Sequence, residues 1–358
     1  MNKLTSGLIC IICLLGAVVM PLTASAYDFK VNGVFYKKLK EGSAVSVSAE
    51  YERRSDANKD AYKGSVVIPS SVTFGGKTYK VTSVGPAAFF GCTGLRSVEL
   101  PGTVTAIGLF AFMNCENLTS ITIPNSVTKI SSYAFKGCKS LASVILPGSL
   151  ASIGSSAFCD CEALRTIVFP ETDVEIGDEA FRGTRWLDNQ PLGPVYAGRI
   201  FYKYKGIMPQ STSVIIKEGT LGIANSAFVS CRGLISVSIP NSVKYIGGYA
   251  FSGCRKLRTV SVPNSVGKIG SNAFFACVEM RSITIGESVM TIDSGAFCQC
   301  SSLQSITSLS VIPPKASTER NSLFYLVPAS CRLNVPAESI SAYRDAPGWN
   351  YFTSISGI

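Results

Sequence analysis

A chain of 358 residues with 33 lysines and arginines against 23 aspartates and glutamates carries a formal net charge of +10, and it contains no histidine. That excludes Ser-His-Asp and Cys-His catalytic arrangements and any histidine metal ligand. With 46% hydrophobic residues the chain can bury a large core, and its 13 cysteines call for a reading of compartment before structure.

Residues 1–26 read as a secretory signal. Lys3 is the positive end, 8–19 the apolar stretch, and Ala24-Ser25-Ala26 an A-x-A cleavage site that leaves Tyr27 as the mature N-terminus. The apolar stretch is short for a bilayer span. No second long one follows, so the mature chain is expected to have no transmembrane span. Cys10 and Cys13 lack the small preceding residue of a lipoprotein site and leave with the signal.

Residues 27–80 follow no long period and are expected to form an N-terminal β cap. Asn32-Gly33 marks a hairpin turn between apolar runs. Residues 44–49 alternate like a strand. Val66-Val67-Ile68-Pro69 reads as a strand and its stop, and 73–81 as a second hairpin around Gly75-Gly76.

From 81 to 308 the chain repeats. The motif A-F-x-x-C places Phe89, Phe112, Phe135, Phe158 and Phe181 at steps of 23 residues, and later Phe228, Phe251, Phe274 and Phe297 at the same step. A unit of this length cannot bury its apolar face alone, whereas stacked copies can, so the period predicts a solenoid. In the copy at 111–130, Leu118-x-x-Ile121-x-Ile123 matches the L-x-x-L-x-L core of a leucine-rich repeat. The alternation Ile121–Ile123 is a short strand that Pro124 ends. Ala111, Phe112 and Cys115 stand at helical spacing and should form the opposite wall. Cys92, Cys115, Cys138, Cys161, Cys231, Cys254, Cys277 and Cys300 share one register. They are expected to stack as an inward ladder of reduced thiols, because side chains pointing the same way do not bridge readily. Cys159-x-Cys161 and Cys298-x-Cys300 have metal-like spacing, but the second cysteine of each is already a core rung.

Residues 184–210 interrupt the series. Thr184 replaces the ladder cysteine, and Trp186, Tyr196, Phe201, Tyr202 and Tyr204 concentrate aromatics around a hairpin at 195–201. The segment either packs its own aromatics or presents Trp186 and Tyr202 as a contact surface. Residues 309–358 are expected to cap the other end. Leu333-Asn334-Val335-Pro336 repeats the strand and stop, 337–343 suits a short helix, and Trp349, Tyr351 and Phe352 should seal the last turn.

Charge is uneven: 17 basic against 15 acidic residues over 27–186, but 13 against 6 over 187–330. Arg232, Lys244, Arg255, Lys256, Arg258, Lys268 and Arg281 recur at related repeat positions, and a period-locked charge becomes a stripe that attracts anionic partners or keeps the chain soluble. Asp160, Glu162, Glu171, Asp173, Glu175, Asp178 and Glu179 form the one acidic cluster that could supply a carboxylate pair, against the plainer reading of a solvated face. Exposed strand positions such as Ser120/Thr122, Thr259/Ser261 and Ser282/Thr284 make a flat hydroxyl face suited to a broad contact rather than a deep pocket.

The pattern A-F-x-x-C-x-x-L-x-x-[IV]-x-[IL]-P-x-x-V-x-x-I resembles the BspA-like leucine-rich repeats of bacterial surface and secreted proteins, over about residues 64 to 308. The resemblance implies an α/β-type repeat solenoid, a right-handed superhelix with short parallel strands between an N-terminal β cap and a C-terminal cap. It further implies adhesion to host matrix proteins or to other cells. The expected protein is exported, secreted or on the cell surface, and non-enzymatic. It needs no cofactor or metal, does not bind nucleic acid, and meets a protein or glycan ligand through an extended surface. Candidate contacts are Arg232, Arg255, Lys256, Arg258, Arg281, Trp186 and Tyr202. A carbohydrate-associated enzyme or subunit using the acidic cluster at 160–179 and a structural envelope component are the alternatives.

Overall fold

A computed structural model describes residues 26–40, 42–50, 61–316 and 323–358. The expected signal, but for Ala26, lies outside the described residues. The chain winds into a parallel-strand solenoid of about 12 turns with little helix.

Three walls enclose the core. The first is a ladder of two-residue strands, Ala106–Ile107, Lys129–Ile130, Ser152–Ile153 and Glu175–Ile176, paired in parallel one period apart. The second holds the three-residue strands, with Ser143–Ile145 in register on Thr166–Val168. In Ser120–Thr122 the middle Ile121 is buried and its neighbours are exposed, as a period of two requires. The third wall, where A-F-x-x-C suggested helical spacing, is a run of turns instead. Phe110 and Asn114 both have positive φ, at 58° and 59°, and a left-handed residue every fourth position cannot continue an α-helix. It also turns alternate amides outward. Cys115 N bonds within its turn to Phe112 O, while Phe112 N and Asn114 N bond to Ala134 O and Lys136 O of the next turn. The third wall is therefore itself a hydrogen-bonded ladder.

Inside, the motif phenylalanines stack face to face. Phe89, Phe112, Phe135 and Phe158 are fully buried, with ring centroids 4.8 to 5.0 Å apart. Three further aromatics end the stacks: Tyr62 lies 4.5 Å from Phe89, Phe201 4.4 Å from Phe228, and Phe324 5.8 Å from Phe297. Each stands 27 residues from its neighbour rather than 23, and none has the A-F-x-x-C motif, so the period did not reveal them.

All eleven cysteines of the described residues are free and buried. The ladder has its own bonding: Cys115, Cys138, Cys161, Cys254, Cys277 and Cys300 each donate from Sγ to the carbonyl of the phenylalanine 26 residues earlier, at 2.9 to 3.2 Å. Burial pushes Cys92 and Cys300 up to about 12 and Cys231 and Cys331 up to about 11. An unfolded thiol ionises near pH 8.5. Above that pH the unfolded chain releases protons that the folded chain retains. Stability from these groups is thus whole below about pH 8.5 and is lost as the pH climbs towards 11–12. The urea midpoint should fall steadily over this range. Ellman's reagent should find almost no thiol in the native chain and eleven after denaturation without reductant. Several fast-reacting native thiols, or a midpoint indifferent to alkali, would contradict the ladder.

At the N-terminal end Phe29–Val31 and Val34–Lys38 form an antiparallel hairpin across Asn32 and Gly33, both with positive φ as a type I′ turn requires. Ser71–Phe74 and Lys77–Val84 form the second hairpin across Gly75 and Gly76. At the far end Arg332–Val335 and Ile355–Gly357 extend the second wall. A short 3-10 turn and the helix Ile340–Asp345 follow the first of these.

The interruption joins two arms. The short helix Arg185–Asp188 is capped by Thr184, whose hydroxyl accepts from Leu187 N at 3.2 Å. The hairpin Gly193–Ala197 with Ile200–Lys205 then starts the second arm's ladder by pairing with Gly222–Ile223. The buried residues separate here into two clusters, one mainly of residues up to 202 and one of residues from 201 onward. Lys268 stands in the second arm's ladder four strands beyond the place that would continue Glu175–Ile176, a distance of roughly 19 Å at about 4.8 Å per strand. Its Nζ nevertheless lies 3.6 Å from Glu175 Oε1. Tyr245 likewise donates from its hydroxyl to Val174 O at 2.5 Å, across 71 residues. The first arm therefore meets the second side-on, and the axis bends at the interruption.

Candidate ligand-contact face

The period-locked arginines of the second arm stand at the entry to its second wall. Arg232 and Arg255 each follow a ladder cysteine, while Arg258 and Arg281 immediately precede the strands Thr259–Ser261 and Ser282–Ile285. All four are exposed. Arg281 N bonds to Arg258 O at 2.8 Å, so these two lie on adjacent turns. Arg332, absent from the sequence expectation, pairs in register with Ser305 and is exposed on the same wall.

Beside the arginines run hydroxyls. Ser261 is in register with Thr284, and Thr284 with Thr307. A planar guanidinium next to a hydroxyl suits bidentate recognition of a carboxylate or sulfate. The face is partly self-compensated: Glu279 Oε2 lies 3.7 Å from Arg258 Nε, and Lys256 Nζ donates to Gln210 Oε1 at 2.6 Å. An exposed ion pair such as Arg258–Glu279 contributes about 0.2–1 kcal/mol and costs little to break. Arg232, Arg255 and Arg281 make no ion pair among the described residues.

Other members of the expected basic stripe and of the candidate contacts fall elsewhere. Lys268 begins a two-residue strand of the first wall and Lys244 adjoins another, so neither belongs to the arginine rows. Trp186 and Tyr202 are buried in the interruption. Tyr202 accepts from Phe181 N at 3.0 Å through its hydroxyl, and both rings pack on Phe181, at 5.2 and 5.4 Å. They join the two arms, and their rings are not open to a ligand. Three members of the acidic cluster are held by basic side chains. Asp160 lies 3.7 Å from Arg182 and 4.0 Å from Lys136, Glu179 2.9 Å from Arg182, and Glu175 beside Lys268. No group of three or more metal-ligating side chains occurs among the described residues.

The hydroxyl face is also not uniform. The outer strand position is Val67, Glu99 and Thr122 in the first turns, then Ile145 and Val168, and Ile215 at the start of the second arm. Ile145 is 68% exposed and Ile215 80%. Apolar residues thus flank the interruption, and hydroxyls occupy the arm that carries the arginines.

The chain matches the family profile described as "BspA type Leucine rich repeat region", with six copies over residues 62–188 and 221–340. Among solved structures it is similar to a leucine-rich repeat protein from Bacteroides ovatus, at 24% identity over 93% of this chain and 100% of that one, with a TM-score of 0.35. It is also similar to the leucine-rich repeat protein of T. pallidum, at 22% identity over 77% and 90% with a TM-score of 0.34. The pneumococcal vaccine antigen PcpA follows at 18% identity over 94% and 100%, with a TM-score of 0.35. No curated protein matches. No helix among the described residues is long and apolar enough to cross a membrane.

Proposed function

The chain belongs to the family of BspA-type leucine-rich repeats, and from that premise we propose that it is an exported, non-enzymatic binding protein of the bacterial surface or its surroundings. Its second arm engages anionic groups on host or cell-surface proteins or glycans. The observation that carries this reading is two rows of arginines, Arg232 with Arg255 and Arg258 with Arg281, each one period apart beside a hydroxyl-lined ladder, with three of the four unpaired among the described residues. A rigid array repeated at turn spacing presents several charges at once, and multivalency raises avidity without any deep pocket. Export is supported by the A-x-A site and the apolar stretch at 8–19.

The test is solid-phase binding to an extracellular-matrix preparation. Retention should fall as salt rises, because the contact is screened over about 8–10 Å near physiological ionic strength. Arg255→Glu with Arg281→Glu should weaken it by about tenfold or more, while the melting temperature barely moves, since exposed charges contribute little to folding. Reversing Glu171 and Asp173, on the first arm, should leave binding intact. Equal retention of the arginine double variant would sink the proposal.

A further inference from the structure

The bend between the arms leaves a cleft of about 220 Å³, with Glu175 of the first arm on one side and Asn225, Tyr245, Tyr249, Lys268 and Asp293 of the second arm around it. Two departures from the repeat coincide there. Residues 225, 248 and 271 occupy equivalent places in successive turns, and Gly248 alone lacks a side chain. Packing does not force that glycine. A Cβ on Gly247 or Gly270 would lie 2.6 or 2.5 Å from backbone nitrogen, whereas one on Gly248 would meet nothing nearer than Ser271 O at 3.3 Å. Position 248 also has an ordinary φ, so the missing side chain is what opens the cleft. The second departure is Asp293, which stands one period beyond Gly270 and two beyond Gly247, in a row whose other members here are Ala224 and these two glycines. It is among the residues that line the same space, and it makes no ion pair among the described residues.

We propose that this cleft binds a single neutral sugar residue. Its lining is polar and varied: two carboxylates, one ammonium, an amide, the Ser271 hydroxyl and the half-exposed ring of Tyr249. Carboxylates and amides accept and donate in the paired geometry that neighbouring hydroxyls offer, and an aromatic face packs against the C–H side of a pyranose. Asn225 already uses Oδ1 on Gly248 N at 2.8 Å, which leaves its amide nitrogen to donate. The one ammonium, Lys268, is held by Glu175, so an anionic ligand would find no free cation. The volume lies below the roughly 300–1,000 Å³ of a drug-sized site, which suits one ring of a longer glycan. This inference does not rest on the arginine face.

Isothermal titration of the full chain with cellobiose, laminaribiose, maltose and lactose tests it. At least one should bind at millimolar concentration or below. Tyr249→Ala and Asp293→Asn should each weaken that binding about tenfold, and Gly248→Leu should abolish it by filling the cleft. Circular dichroism and melting temperature of each variant confirm the fold. Arg255→Glu with Arg281→Glu should leave sugar binding unchanged, which separates this site from the arginine face. The inference is overturned if none of the four sugars binds, if binding survives all three cleft variants, or if spermidine binds the cleft and the sugars do not.

Discussion

Phe135→Ala lowers the unfolding free energy by about 3–5 kcal/mol, the range for large aromatic deletions in a close-packed core. The upper part of that range is expected here. Phe135 is fully buried between Phe112 and Phe158, with both centroids 5.0 Å away. A core can offset a deletion by collapsing into the void, but these neighbours are fixed by backbone bonds between turns. Phe112 N donates to Ala134 O and Phe135 N to Ala157 O, both at 2.6 to 2.7 Å, and the turns cannot close without breaking that ladder. The void therefore persists, and its cost rises with its volume. Urea unfolding at pH 7 measures the effect. Tyr133→Ala, in the same turn but half-buried, should cost much less. If the two variants lose the same stability, the stack is not what holds the turns together.

The repeating part of this architecture was legible because one physical constraint repeats. Every 23 residues the chain must return a phenylalanine, a thiol and a leucine to the same three places, and the sequence shows that requirement directly. The form of the third wall was not legible. Ala111, Phe112 and Cys115 have helical spacing, and only the positive φ at Phe110 and Asn114 converts the segment into turns. Neither phenylalanine nor asparagine in that place announces it. The stack ends at Tyr62, Phe201 and Phe324 were hidden because the turns that bound each arm are four residues longer than the period. Of the candidate contact residues, the spacing put Arg258 and Arg281 one period apart, and the structure places them on adjacent turns. Trp186 and Tyr202 are buried instead, because aromatics that anchor an interface and aromatics that join two arms have the same composition. The bend depends on contacts 71 and 93 residues apart, which no local pattern encodes. One signal was available. Gly222 stands in a ladder position filled by Lys129, Ser152 or Lys268 elsewhere, and its missing side chain leaves the space that Tyr245 fills, since a Cβ there would lie 2.2 Å from that ring.

Trp349→Ala should produce a loss of similar size, about 3–5 kcal/mol, but confined to one end. Trp349 is fully buried, donates from Nε1 to Pro314 O at 2.8 Å, and packs on Phe324 at 5.6 Å and on Tyr343 at 5.1 Å. It closes the column in which Phe324 rests on Phe297. Removing the indole opens the end of the core to water and leaves the Pro314 carbonyl without its donor. Tyr343, bonded to Ser308 Oγ at 2.7 Å and Ser310 O at 2.9 Å, loses the ring that holds it in place. A solenoid turn contacts only its neighbours, so stability is a sum of local terms and a weakened end frays before the middle. The break between the two buried clusters at the interruption should strengthen that insulation. Hydrogen exchange followed by mass spectrometry reads the outcome segment by segment. Amides at 323–358 should exchange much faster in the variant, those at 259–307 less so, and those at 89–181 at the wild-type rate. Equal acceleration in both arms would mean that the solenoid unfolds as one unit and that the interruption transmits stability instead of dividing it.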